Sequence, residues 1–209
     1  MGPCKSKSGV SETTKKPKFE FYNGYKGPED LVNFDEFFGE QKKPSECKKC
    51  LTKEIWEEYK DQSCAEGVSF KMCVFSGIAN QDSGIGVYAG SHDAYTKFNK
   101  LFDQVIENYH GHAPDATHVS DMNAEGLENA EFTDEQLAMV NSTRIRVGRN
   151  LAGYPLGPGV TKAQRLEIMN TVVKACETFE GDLKGKFYPL EGMSKKDQDQ
   201  LIADHFLFK

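Results

Sequence analysis

Apolar residues along this chain recur at helical spacing in several stretches and alternate in one. Thr52 opens the first of them as a lone helix cap, because position 55, where a capping box would set Glu or Gln, holds Ile55. Ile55, Trp56 and Tyr59 then mark one helical face. Phe70, Cys73 and Val74 predict a second helix from about Ser69 to Ser76, ending near Gly77. Tyr95, Phe98, Leu101, Phe102, Val105, Ile106 and Tyr109 form the stripe of a third, which stops before Gly111. These helices predict a small all-α domain over residues 44–112. A polar, turn-rich linker follows at 113–136, marked by Pro114, Asp115, Asn123 and Gly126.

In the last third the period changes. Ile145 and Val147 alternate with Arg144 and Arg146, as a half-buried strand requires. Thr161 caps a helix whose apolar face is Leu166, Met169, Val172, Val173, Cys176 and Phe179, with Gly181 where a left-handed C-terminal cap is wanted. A final helix runs from Ser194 to about Asp204, with Asp197 three residues after its cap. The apolar end, Phe206 to Phe208, looks cut off in mid-element. The expected fold class is therefore α+β: an all-α domain, then the incomplete start of an α/β domain at 137–209. Ahead of both, residues 1–43 predict a flexible tail and a weakly ordered arm carrying Phe19, Phe21, Tyr22 and Tyr25.

Composition narrows the function classes. A chain of 209 residues can hold one large domain or two modest ones, and 38% hydrophobic residues supply enough apolar surface for a core. A net charge of -6 argues against a general nucleic-acid binder, so an anionic ligand must meet a local basic site. No run approaches the roughly 20 apolar residues of a membrane span, and no apolar run follows the N-terminus as a signal peptide requires, so a cytoplasmic protein is expected. The start, Met1-Gly-Pro-Cys-Lys-Ser6, superficially fits acylation at Gly2 or Cys4, with weak membrane association as its consequence. Pro3 counts against it, and an ordinary tail is the preferred reading. The six cysteines are too sparse for a disulfide scaffold. Cys47 and Cys50 form one CxxC pair with no second pair, so incidental thiols outweigh a metal or redox use, and no metal ligands are assigned.

Two segments could carry chemistry. In Asp82-Ser-Gly-Ile-Gly-Val-Tyr88, two glycines let the backbone fold tightly and bring N–H groups to a carboxylate or phosphate. The sequence lacks the third glycine and preceding strand of a dinucleotide site, so an ordinary interhelical loop is the stronger reading on these residues alone. In Ser142-Thr-Arg-Ile-Arg-Val-Gly-Arg149, Arg144 and Arg146 share one face of the predicted strand. Two parallel guanidinium forks clamp adjacent phosphates, while a solvated strand face explains the same residues equally well.

At these residues the chain resembles a known family. The stretch from Ser142 to Pro155 is similar to the phosphagen (ATP:guanidino) kinases, most of all the arginine kinases. Further stretches agree in order: Leu51 to Glu54, Asp82 to Tyr88, Leu101 to Asp103, Tyr109 to Gly111, Gly181 to Leu190, Gly192 to Ser194 and Asp204 to Lys209. The resemblance implies an antiparallel sheet flanked by helices in the second domain, and transfer of the ATP γ-phosphoryl to a guanidino compound, with L-arginine foremost and taurocyamine or another guanidino acceptor as alternatives. It implies nucleotide binding by Ser142, Thr143, Arg144, Ile145, Arg146 and His205. A lone histidine such as His205 is by itself more often a packed or surface residue. Ser83, Gly84, Ile85, Gly86, Val87 and Tyr88 match the guanidino-specificity loop, whose backbone receives the substrate carboxylate. Mg²⁺ would come with ATP or ADP, with no protein ligand, and the protein would be a monomer or homodimer that buffers cellular energy.

The departures from the family pattern matter equally. Acidic residues that orient the guanidinium, a reactive cysteine and further phosphate-binding arginines have no counterpart in this chain, so no catalytic residue is assigned within it and the chain alone is expected to be inactive. Two readings remain open: part of a longer enzyme, or a binding or dimerising module without catalysis.

Overall fold

The computed structural model describes residues 21–40, 43–126, 131–143 and 145–207. The helices follow in order: α1 Glu46–Cys50, α2 Lys53–Tyr59, α3 Phe70–Ala79, α4 Ala94–Lys97, α5 Asn99–His110, α6 Asp134–Ala138, α7 Lys162–Glu177 and α8 Lys195–Ala203. Two compact units divide the chain, Met1–Gly148 with Pro155–Gly159, and Arg149–Tyr154 with Val160–Lys209.

Side-chain caps set the helix starts. Ser45, Thr52 and Ser69 accept from the N–H groups of Lys48, Ile55 and Met72 at 3.1, 3.3 and 3.3 Å, so each satisfies one of the donors a helix N-terminus leaves open. Thr52 does act alone, as its sequence context predicts. Thr161 and Gln164 form a full reciprocal box at the start of α7, and Ser194 caps α8 through the Asp197 N–H. Gly111 ends α5 in the left-handed region at φ 71°, where a residue without Cβ carries no steric penalty.

The core of the first unit is aromatic. Trp56, Phe70, Phe98 and Phe37 are fully buried, and Tyr59 nearly so. Phe37 meets Trp56 edge-on at 4.6 Å, while Tyr59, Phe70 and Phe98 form a ring triangle with centroids 5.0 to 5.3 Å apart. Such pairs add about 0.5–1.5 kcal/mol each beyond their burial. The arm ahead of α1, expected to be weakly ordered, supplies two of these core residues: Leu31 and Phe37 are each 0% exposed. Three short 3₁₀ turns, each with little periodicity, carry them there, so the sequence pattern gave no helical or strand signal to follow.

Two further expectations change. The second helix does not end at Gly77 but continues to Ala79, because the glycine serves a close approach: a Cβ there would lie 2.5 Å from the Gly86 carbonyl oxygen. Gly181 takes a positive φ of 58° but opens a 3₁₀ turn, and the residue that ends α7 is Thr178.

The expected strand through Ile145 and Val147 does not form among the described residues. Among the described residues there is no strand, and the one isolated bridge joins Ser63 to Ser69. Residues 134–138 form α6, and Ile145 and Val147 are 91% and 84% exposed. Alternation buries a strand face only where a neighbouring strand takes its backbone groups and a layer covers its apolar side, and neither is present among the described residues.

The second unit has no buried residue among those described. Met169, Val172, Val173 and Cys176 of α7, together with Phe179 and Phe187, line an open apolar groove of about 850 Å³. Amide exchange should therefore divide the chain sharply. Helices α1, α2, α3 and α5 are expected to show protection factors orders of magnitude above those of α7 and α8, since exchange in an element without a core needs only local opening. Equal protection in both units, read by mass spectrometry, would contradict this division.

Candidate functional site

The loop from Asp82 to Tyr88 lies on the first unit and is held through its own backbone. Helix α1 begins with unpaired N–H groups, and two of them find loop carbonyls: Glu46 donates to Gly84 at 3.0 Å and Cys47 to Ile85 at 2.8 Å. On the other side, α3 opens its ladder to the loop. Gly77 N–H donates to the Gly86 carbonyl at 3.0 Å, and Tyr88 N–H donates to the Cys73 carbonyl at 2.9 Å. Cys73 and Gly77 are the two residues whose groups an uninterrupted helix pairs with each other.

The loop's two glycines serve different needs. Gly86 sits at φ 77°, and a Cβ on it would lie 2.5 Å from Gly77 Cα and 3.0 Å from Cys47 Cβ, so both conformation and space exclude a side chain. Gly84 is exposed, has ordinary φ, and a Cβ on it would meet nothing within 4 Å. Packing among the described residues gives no reason for glycine there. The hydrogen bonds are equally one-sided: three consecutive carbonyls, Gly84 to Gly86, accept from the protein. The N–H groups of Gly84, Ile85, Gly86 and Val87 donate to no acceptor among the described residues. An array of unspent donors beside an exposed glycine can receive an oxyanion.

The cysteines around the loop are structural. Burial pushes the Cys73 thiol up to about 12, and burial followed by the nearby Cys50 pushes Cys47 still higher, so both stay protonated and unreactive at neutral pH. Cys50, also raised by burial, accepts a hydrogen bond from Asn108 at 3.3 Å. Cys47 and Cys50 thus lie within α1 as buried thiols, and among the described residues no group of three metal-ligating side chains gathers anywhere.

Among the described residues no hydrogen bond joins the second candidate segment to the loop. Ser142, Thr143, Ile145 and Arg146 are exposed in an irregular stretch of the first unit, and Arg144 lies outside the described residues. His205 belongs to the second unit, exposed after α8 at φ 63°, with its N–H on the Ile202 carbonyl at 3.1 Å.

One participant escaped the sequence reading. Residues 155–159 return to the first unit, where Leu156 N–H donates to the Gly90 carbonyl at 2.7 Å and Gly159 packs against Val68. Two prolines and two glycines signal a turn there, but nothing in them signals a docking partner.

Comparison with known proteins places this arrangement. Residues 41–107 match the model of the ATP:guanido phosphotransferase N-terminal domain, and residues 167–209 match that of the family's C-terminal catalytic domain. An arginine kinase of Anthopleura japonica is 48% identical over 78% of this chain and 23% of its own length. A probable arginine kinase of Caenorhabditis elegans is 43% identical over 87% of this chain and 48% of its own. Among solved structures, a lombricine kinase superposes with a TM-score of 0.68 at 28% identity, covering 80% of this chain and 46% of that one. The duplicated taurocyamine kinase from Schistosoma mansoni, bound to transition-state analogue components, gives 0.66 at 33% identity over 80% of this chain and 24% of that one. The chain belongs to the ATP:guanido phosphotransferase, or phosphagen kinase, family. It spans less than half the length of each of these four proteins. Among the described residues, no helix is long and apolar enough to cross a membrane.

Proposed function

We propose that this chain carries the guanidino-binding loop and the first nucleotide-binding segment of a cytoplasmic kinase that transfers the γ-phosphoryl of MgATP to a guanidino compound, in the first place L-arginine. The observation that carries it is the loop's one-sided hydrogen bonding. Its carbonyls are consumed by α1 and α3, and four successive N–H groups, without an acceptor among the described residues, are available to the substrate's carboxylate. Ser83 to Tyr88 form that subsite. Ser142, Thr143, Arg144, Ile145, Arg146 and His205 bind the nucleotide, with Mg²⁺ carried on its phosphates. For this role the stretch around Ile145 and Val147 pairs with further strands, which would cover the two side chains now exposed.

Gly84 supplies the test. Gly84→Val should leave stability within about 0.5 kcal/mol, because the new side chain meets open space at an ordinary φ. It should nonetheless weaken binding of L-arginine to the 209-residue chain at least tenfold, since it stands where the carboxylate approaches. Isothermal titration with unaltered arginine affinity would remove the loop from the substrate site.

A sulfonate makes the same contacts to N–H groups as a carboxylate, and the likeness to a taurocyamine kinase gives that reading a specific footing. The loop alone does not separate the two substrates. Groups beside it must.

A further inference from the structure

Guanidino acceptors differ at the end remote from the reacting nitrogen. Some carry a lone carboxylate or sulfonate there, whereas an α-amino acid carries a carboxylate and an ammonium on the same carbon. A site that grips the carboxylate therefore has the ammonium within reach, and two oxygen acceptors beside the loop have no partner of their own. They are Glu46 Oε2 and Gln81 Oε1, both buried and without a hydrogen bond among the described residues. Both residues, with Lys49, Ser83, Gly84 and Ile85, line a cleft of about 720 Å³.

Their positions follow from bonds already described. Glu46 is tied to the loop through its own N–H on the Gly84 carbonyl. Its side chain is only 12% exposed, and Lys49 Nζ holds just one carboxylate oxygen, Oε1, at 2.6 Å. Gln81 spends its amide nitrogen on the Ile78 carbonyl at 3.2 Å, which leaves the oxygen as its free end. A buried carboxylate oxygen without a donor is costly, and a cation entering the cleft relieves it.

We propose that Glu46 and Gln81 form an α-ammonium subsite, so that the cleft selects guanidino substrates with an amino-acid head group over sulfonates and over acids without the amine. This rests on the loop being the carboxylate site. The two oxygens lie beneath the cleft surface, so binding is accompanied by rotation of the Glu46 side chain, which has one anchored oxygen and one free. Charge selects the ligand as well: Glu40, Glu46 and Asp82 outnumber Lys43 and Lys49 around the cleft, which disfavours a second acidic group.

Titration of the isotope-labelled 209-residue chain, followed at the amides of Gly84 to Val87, separates the possibilities. The ligands are L-arginine, 5-guanidinopentanoate, which lacks the ammonium, and agmatine, which lacks the carboxylate. L-arginine should bind at least tenfold more tightly than 5-guanidinopentanoate. Glu46→Gln, which keeps the shape, should remove that advantage by weakening arginine about tenfold and leaving 5-guanidinopentanoate unchanged. Gln81→Leu, which lies outside α1, should weaken arginine about threefold and guards against a fold defect in the first variant. Equal affinity for arginine and 5-guanidinopentanoate, or equal losses for both in Glu46→Gln, would overturn the ammonium subsite and leave the carboxylate loop standing. Agmatine binding as tightly as arginine, or no response of these amides to any of the three, would overturn the loop reading and this subsite with it.

Discussion

Gly86→Ala should destabilise the first unit by about 2–5 kcal/mol, the sum of a left-handed backbone cost of roughly 1–2 and an overpacking cost of roughly 1–3. The added methyl group would sit 2.5 Å from Gly77 Cα, which belongs to helix backbone and cannot swing aside as a side chain tip does. Relief requires the loop to lift from α3, and that breaks the Gly77 to Gly86 bond and strains the neighbouring bonds from Glu46 and Cys47 to Gly84 and Ile85. Gly84→Ala, two residues away and of identical chemistry, should cost less than about 0.5 kcal/mol because its Cβ meets nothing. Urea unfolding of both variants, monitored by the fluorescence of the single tryptophan, Trp56, reads the contrast directly. Equal stability of the two would mean that the loop does not rest on α3 as described.

Arg146→Lys should lower turnover about 30- to 1000-fold in a polypeptide completed with the remaining catalytic domain of an arginine kinase relative, while the 209-residue chain by itself gives no turnover above background. The lysine keeps the charge and loses the planar fork that holds two phosphate oxygens at once. Removing one such donor from a transferring group costs roughly 2–4 kcal/mol of transition-state stabilisation, which gives the stated range. In the 209-residue chain Arg146 is exposed, so the substitution should leave its thermal midpoint unchanged. A coupled assay on the completed polypeptide decides, and near-normal rates with lysine would return Arg146 to the solvated face that its sequence pattern allows equally well.

Much of the helical unit was legible in the sequence because its signals are local. A cap such as Thr52 or Ser194 and the stop at Gly111 each act within a turn or two, and the structure repeats them; the stripe from Tyr95 to Tyr109 is instead split at Phe98, whose non-helical backbone separates α4 from α5. What the pattern missed depends on partners far along the chain. Leu31 and Phe37 reach the core through 3₁₀ turns without periodicity, and Gly77 is a glycine because of Gly86, nine residues on. The strand was expected for the opposite reason: alternation at Ile145 and Val147 is a local signal for an element whose formation is not local. At the candidate site, the glycine loop was visible as a motif. The unpaired acceptors Glu46 and Gln81 were not, because being unpaired is a property of the folded surroundings and of no residue type.

The bond from Leu156 to Gly90 makes a leash of the chain between. Arg146 and Leu156 are ten residues apart, so an extended backbone lets Arg146 stray at most about 35 Å from that anchor. Gly90 itself stands two residues after Tyr88, at the end of the loop proposed to hold the acceptor. The anchor therefore caps the volume that the arginine can search, raising its effective concentration near the loop before any sheet fixes its place. Lengthening the leash with inserted flexible residues would dilute that advantage gradually and would not abolish it.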